Sequence, residues 1–198
     1  MKIKRVLYLV VFLCTVEIFF GCKPSEDTGS TMRYFKLDSL IQEQMTTVLS
    51  RKVYLEKISL LDGKYDSSGF IPDSIHLARE FAVIEQNSID KPKYWGLYEK
   101  EFGKDNQSNL NTLTYHSTRE LPVPYLKIYY LNTINNLRKI ETAYVDKNSI
   151  YHSFREIKIL FEDVNEEVVI KEYHIQGYQK MLGVDTVKYK VTGRLNFE

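Results

Sequence analysis

The stretch Thr186-Val-Lys-Tyr-Lys-Val-Thr-Gly-Arg-Leu-Asn-Phe197 decides the fold class. Val187, Tyr189, Val191, Leu195 and Phe197 alternate with Lys188, Lys190, Thr192, Arg194 and Asn196, so one face is apolar and the other polar. A period of two is what a half-buried antiparallel strand requires, because successive side chains point to opposite faces of the sheet. Upstream of it, the chain from Tyr94 onward has little helical periodicity and much β-branched and aromatic content. That predicts further strands at 93–100, 112–117, 124–131, 137–145, 151–161 and 167–181. Short turns such as Asp146-Lys-Asn-Ser149, Asp163-Val-Asn-Glu166 and Leu182-Gly-Val184 join them, which favours a meander over crossover connections.

A register follows if Asp163–Glu166 closes a hairpin with Phe161 opposite Glu167. Ile159 then faces Val169, Ser153 faces Ile175, and Ile157, Phe161 and Tyr173 share one side, to which Ile175 opposite Val191 adds the apolar set of the last strand. The other side carries His152, Glu156, Lys158, Glu172, His174, Gln176, Lys188, Lys190 and Arg194. In this register His152, Glu156, Glu172 and His174 form a cluster, the imidazoles diagonal neighbours and the carboxylates facing one another. Imidazole and carboxylate suit zinc or another divalent ion, so these four are the candidate metal or acid–base residues. The plainer reading is a solvated polar face balanced by Lys158, Lys188 and Arg194.

His76 and His116 stand alone and read as surface or capping residues. There is no Gly-x-Ser-x-Gly elbow, His-Glu-x-x-His, Gly-rich phosphate loop or Cys-x-x-Cys, and no motif implies a cofactor. The 15 tyrosines, Tyr94-Trp95 and Tyr129-Tyr130 among them, suit strands by propensity and also offer contacts to carbohydrate, peptide or lipid headgroups.

Before the strand-rich half, Leu37, Leu40, Ile41, Met45, Val48 and Leu49 recur at helical spacing and predict a helix over 36–50, with Ser39 and Gln42 as a capping-box pair. Asp62-Gly63 predicts a tight hairpin turn between strands at 53–61 and 64–66. Ser67–Asp73 breaks the pattern, and Pro72-Asp73-Ser74 opens a second helix over 73–87 that turns Leu77, Ala78, Phe81 and Ile84 inward. The fold class read from these elements is α+β: one antiparallel meander of about 6–8 strands, half-barrel in form, with two helices covering one face.

The N-terminus reads as an address. Lys2, Lys4 and Arg5 precede an apolar run from Val6 to Val16, which matches a secretory signal of about 7–15 apolar residues. The run is short of the roughly 20 residues that span a bilayer, and Glu17 interrupts it. Phe19-Phe20-Gly21-Cys22 resembles the lipobox of bacterial lipoproteins, with Phe19 in place of the usual Leu. The resemblance implies cleavage after Gly21 and acylation of Cys22, whose thiol suits a thioether link. Several acyl chains, at about 0.8 kcal/mol per buried CH₂, give stable anchoring where one is marginal. An ordinary secretory signal followed by a coincidental cysteine is the plainer alternative. The expected organisation is therefore a signal peptide over 1–21, a flexible tether over 22–33 rich in polar, Gly and Pro residues, and one α+β domain over 34–198.

Lys23 follows the cysteine where enteric lipoproteins held at the inner membrane carry Asp, which by resemblance points to the outer membrane. Glu26-Asp27 is similar to the export signals of surface-exposed Bacteroidota lipoproteins, and is equally an ordinary acidic linker. Cys14 leaves with the signal and Cys22 is blocked by lipid, so the mature chain keeps no free thiol.

Composition agrees with one domain: 198 residues, 27 Lys+Arg against 26 Asp+Glu and a formal charge of +1. Residues 1–21 hold three of the bases and one acid, so the remainder has 24 Lys+Arg against 25 Asp+Glu and a charge of −1. Such a balance supplies no basic field for nucleic acid. The mature chain, by its first helix, Asp62-Gly63 and Ser88-Ile-Asp-Lys-Pro92, resembles a group of small uncharacterised outer-membrane lipoproteins of Bacteroidota. At the level of architecture it is similar to lipoprotein-carrier half-barrels. The expected role is non-enzymatic: a lipid-anchored binding or structural protein that meets the membrane through Cys22 and takes a protein or apolar-ligand partner. The alternative is an envelope hydrolase or metal-dependent enzyme on the His/Glu cluster.

Overall fold

The structure is a computed structural model that describes residues 34–197. The signal, Cys22 and the tether lie outside the described residues.

Among the described residues two α-helices, α1 (Leu37–Ser50) and α2 (Ser74–Glu85), accompany nine strands. These are β1 (Val53–Leu61), β2 (Lys64–Phe70), β3 (Tyr98–Lys104), β4 (Asn111–Ser117), β5 (Tyr125–Tyr130), β6 (Leu137–Lys147), β7 (Tyr151–Val164), β8 (Glu167–Met181) and β9 (Val187–Phe197). All pair antiparallel in one open sheet of order β2-β1-β9-β8-β7-β6-β5-β4-β3. Strands β3 to β9 are therefore an unbroken meander, and the β1–β2 hairpin closes onto its last strand. The α+β class with two helices on one face is what the sequence predicts, at nine strands rather than the expected smaller number.

The helices cover one face because their apolar stripes meet the inward set of the strands. Leu37, Ile41, Met45 and Val48 of α1 and Leu77, Phe81 and Ile84 of α2 share one core with Leu126, Ile128, Ile140, Ile159, Tyr173 and Leu195. Asp73 caps α2 as expected, its carboxylate accepting from the His76 N–H at 2.8 Å. The capping box expected for α1 does not form: Lys36 is the N-cap, without a side-chain bond, and Gln42 instead donates to Glu85 of α2.

Three local expectations are corrected. Strand β2 runs on to Phe70 through Ser67-Ser68-Gly69, since an edge strand exposed on both faces needs no apolar alternation. At Gly69 a Cβ would collide with the Tyr54 ring. Residues 92–94 form a 3-10 turn with Pro at its start, so β3 begins later than predicted, at Tyr98. The β7–β8 hairpin turns tightly on Asn165-Glu166, both at positive φ, pairing Val164 with Glu167.

A bulge between Leu160 and Phe161 then resets that register. Beyond it Ile159 faces Tyr173 rather than Val169, and Ile157 rather than Ser153 faces Ile175. The slip is four residues, an even number, so the faces survive it. The expected Ile175–Val191 pair is present. Pairing of β8 with β9 begins only at Glu172, and Gln44 of α1 covers the backbone before it. Its Oε1 accepts from the Ile170 N–H at 2.7 Å and its Nε2 donates to the Val168 carbonyl at 3.0 Å.

Candidate functional site

The face turned away from the helices carries a row of side chains that crosses the whole sheet. Paired residues in order are Glu101, Thr114, Lys127, Glu141, Lys158, His174, Thr192, Ile58 and Ser67. Lys127, Glu141 and Lys158 alternate in charge, the arrangement in which directly opposed side chains attract rather than repel. A neighbouring row runs Ala143, Glu156, Gln176, Lys190. Between these rows lies a depression of about 470 Å³ lined by Tyr125, Glu141, Glu156, Lys158, His174, Gln176 and Lys190.

The wall nearest β5 is tied together by its own side chains. Tyr129 donates its hydroxyl to Glu141 Oε2 at 2.6 Å, Lys139 Nζ lies 3.0 Å from Glu141 Oε1, and the same ammonium sits 3.7 Å from the Tyr129 ring centroid. Burial, then the Glu141 carboxylate, pushes the Tyr129 hydroxyl well up, so it stays a donor. Burial also acts to raise Glu141, but the bonds from Tyr129 and Lys139, with Lys158 nearby, outweigh it and hold the carboxyl below its ordinary range.

Opposite that wall, His174 is tied at both nitrogens: Nε2 lies 3.1 Å from Glu172 Oε1 and Nδ1 lies 3.1 Å from Thr192 Oγ1. A carboxylate only accepts, so Nε2 carries the proton and Nδ1 accepts from the Thr192 hydroxyl. Burial draws the imidazole pKa down; Glu172 opposes this, and Lys158, Lys190 and Arg194 add to it. The balance favours the neutral ring. Arg194 Nε approaches the second oxygen of Glu172 at 3.3 Å, and Gln176 Nε2 donates to Glu156 at 2.9 Å.

Of the four residues singled out in the sequence, the fold brings Glu172 and His174 into contact, keeps Glu156 on the same depression as His174, and takes His152 away. Glu156 faces Gln176, and Glu172 faces Leu160, so the carboxylates do not oppose one another. His152 sits opposite Lys180 with its ring edge-on to Tyr178 at 5.4 Å. Along β7 that is six residues from Lys158, the partner of His174, or about 20 Å. The cause is the four-residue slip. Among the described residues, no three of His, Cys, Asp and Glu are grouped closely enough to hold a metal ion. His76 closes its own helix cap, with Nδ1 2.7 Å from Asp73, and the exposed His116, opposite Glu99, has its Nε2 3.5 Å from Glu101 Oε2.

Tyr125, Tyr129, Lys139 and Glu141 are absent from the sequence-derived polar face. Their signal is the alternation Tyr125-Leu-Lys-Ile-Tyr129 and Lys139-Ile-Glu-Thr-Ala143, which assigns them to one side once the β5–β6 register is known. What this arrangement offers chemically is a floor of interleaved donors and acceptors, with Lys158 and Lys190 beside a carboxylate–amide pair. The class so defined is an open antiparallel α+β sheet with one face covered by helices and the other polar and uncovered. No protein-family model, curated protein or solved structure matches the chain.

Proposed function

We propose that this is a lipid-anchored lipoprotein of the cell envelope, at the outer membrane, with a non-enzymatic binding role. The basic start, the apolar run and Gly21-Cys22 support the anchor. The observation that carries the binding role is the uncovered sheet face, where a polar depression of about 470 Å³ is walled by side chains already fixed by one another. Such a face is pre-organised, so a partner docking there orders few side chains. Its charges alternate, which suits a polar partner presenting both donors and acceptors, a protein surface above all.

The apolar-ligand variant of this role draws less support, because the helix–sheet interface is filled by fully buried side chains including Leu37, Phe81, Ile128 and Tyr173. The enzyme alternative also draws none from the geometry: both nitrogens of His174 are engaged and His152 is remote from it.

Two measurements test the proposal. Palmitate labelling and membrane fractionation of the wild type and Cys22→Ala should show label and sedimentation lost in the variant; a variant that still labels overturns the anchor. A photo-crosslinking side chain at Lys190 should capture a defined partner in intact envelopes, whereas one at Arg79 on α2 should not. Equal yields from both positions would remove the face as the site.

A further inference from the structure

Three hairpin turns meet at one end of the sheet: Asp62-Gly63 after β1, Asn148–Ile150 before β7, and Leu182–Thr186 before β9. They are joined there, since the Asp62 N–H donates to the Lys188 carbonyl at 3.0 Å and the Leu182 N–H to the Ile150 carbonyl at 3.0 Å. This end exposes Leu61, Tyr65, Ile150, Met181, Leu182 and Val184, each between 52% and 79% accessible. The far end is different in chemistry. Its turns, Asp105–Leu110, Leu131–Asn136 and Asn165-Glu166, are dominated by Asn, Asp, Ser and Thr. The far end also exposes Ile71, Phe102 and Ile134, but singly, after β2, on β3 and in the β5–β6 turn across the width of the sheet, whereas the apolar side chains of the three joined turns form a patch rather than scattered exposure.

We infer that this end docks on a lipid bilayer surface, its apolar turn residues inserting at the headgroup boundary. The inference rests on the anchored reading for the bilayer being near. Residues 22–33 span at most about 40 Å, against a domain radius of about 15 Å, so the anchor alone lets any face reach the surface. What selects a face is apolar area. The flanking charges are balanced, Lys64, Lys147, Lys180 and Lys188 against Asp62, Asp66, Asp146 and Asp185, so insertion follows apolar burial and not anionic lipid. Adjacent strands lie about 4.8 Å apart, so the six strands from β2 to β6 present an edge roughly 24 Å wide to the surface. The polar recognition face then stands upright, open to a partner approaching along the membrane.

The chain has one tryptophan, Trp95, so Trp95→Phe with Leu182→Trp reports on this end alone. With the full-length protein and phosphatidylcholine vesicles containing brominated acyl chains, the tryptophan at 182 should shift to the blue and be quenched. Native Trp95, near the opposite sheet edge, should not. Adding Val184→Asp should weaken that quenching about tenfold in lipid concentration. Vesicle flotation reads the anchor separately. A protein that floats while its tryptophan at 182 stays unquenched overturns the docking and leaves the anchor standing; absence of quenching at saturating lipid without flotation overturns both. A blue shift that grows with protein concentration and needs no lipid assigns the patch to a second copy, and also overturns it.

Discussion

Tyr173, the largest of the wholly buried side chains, donates its hydroxyl to Glu80 of α2 at 2.6 Å, and the other oxygen of Glu80 takes Lys57 of β1 at 2.6 Å. One carboxylate thus ties β8, the next-to-edge strand β1 and the second helix together. Burial and the adjacent carboxylate push the Tyr173 hydroxyl far up, so it stays a donor. Tyr173→Phe leaves the ring packing intact and removes one donor from a carboxylate with little access to water. A loss of about 1–2 kcal/mol in urea unfolding is expected; an unchanged midpoint would show that solvent replaces the bond.

Gly193 lies directly opposite Tyr173 on β9, and a Cβ there would collide with the phenol ring. Gly193→Ala should therefore cost about 1–3 kcal/mol or more through overpacking. In a Tyr173→Leu background the same change should cost less than about 1 kcal/mol, a coupling that a double-mutant cycle measures directly. Additive effects would mean the backbone moves aside.

Gln44 is buried and makes two bonds to β8 where no β9 residue reaches. Gln44→Leu strands the Ile170 N–H and the Val168 carbonyl, for an expected loss of about 2–3 kcal/mol. Amide exchange at Ile170 should rise in step. Retained protection would mean another acceptor moves in.

His174 gives a pH dependence with a defined sign. Its folded pKa lies below the ordinary value of 6.5, so the unfolded chain binds the proton more tightly. The stability from the neutral ring is present above about pH 6.5 and is lost as pH falls through the lower folded value. His174→Gln keeps an acceptor and a donor and should flatten the unfolding free energy across that window. An unchanged slope would assign the titration elsewhere.

How much of this is legible without coordinates depends on what surrounds each segment. Strand β9 and helix α1 declare themselves because each buries one face only, so Val187, Tyr189 and Val191, or Leu37, Ile41 and Met45, keep a strict period. Strand β3 does not: Glu99-Lys-Glu-Phe-Gly-Lys104 is an exposed edge with no face to bury and hence no alternation. Registers fail for another reason. Whether Asp163–Glu166 is a four-residue loop or a two-residue turn depends on Asn165 and Glu166 adopting left-handed angles, and the bulges at Leu160/Phe161 and Tyr129/Tyr130 are settled by packing across strands. The candidate site inherits that limit. Its residue types and its face were readable, but which imidazole meets which carboxylate hung on four residues of register.

The pairing of β1 with β9 joins the first strand of the domain to the last. Every other strand pair forms between neighbours in sequence, within a short stretch of chain. The β1–β2 hairpin must therefore wait, with Val53 and Leu55 uncovered on the sheet side, until Leu195 and Phe197 have been delivered. A chain made N-terminus first would complete its local ladder early and its fold only at the final strand. Loss of β9 would leave two unpaired edges inside the sheet, on β1 and on β8, rather than one frayed end.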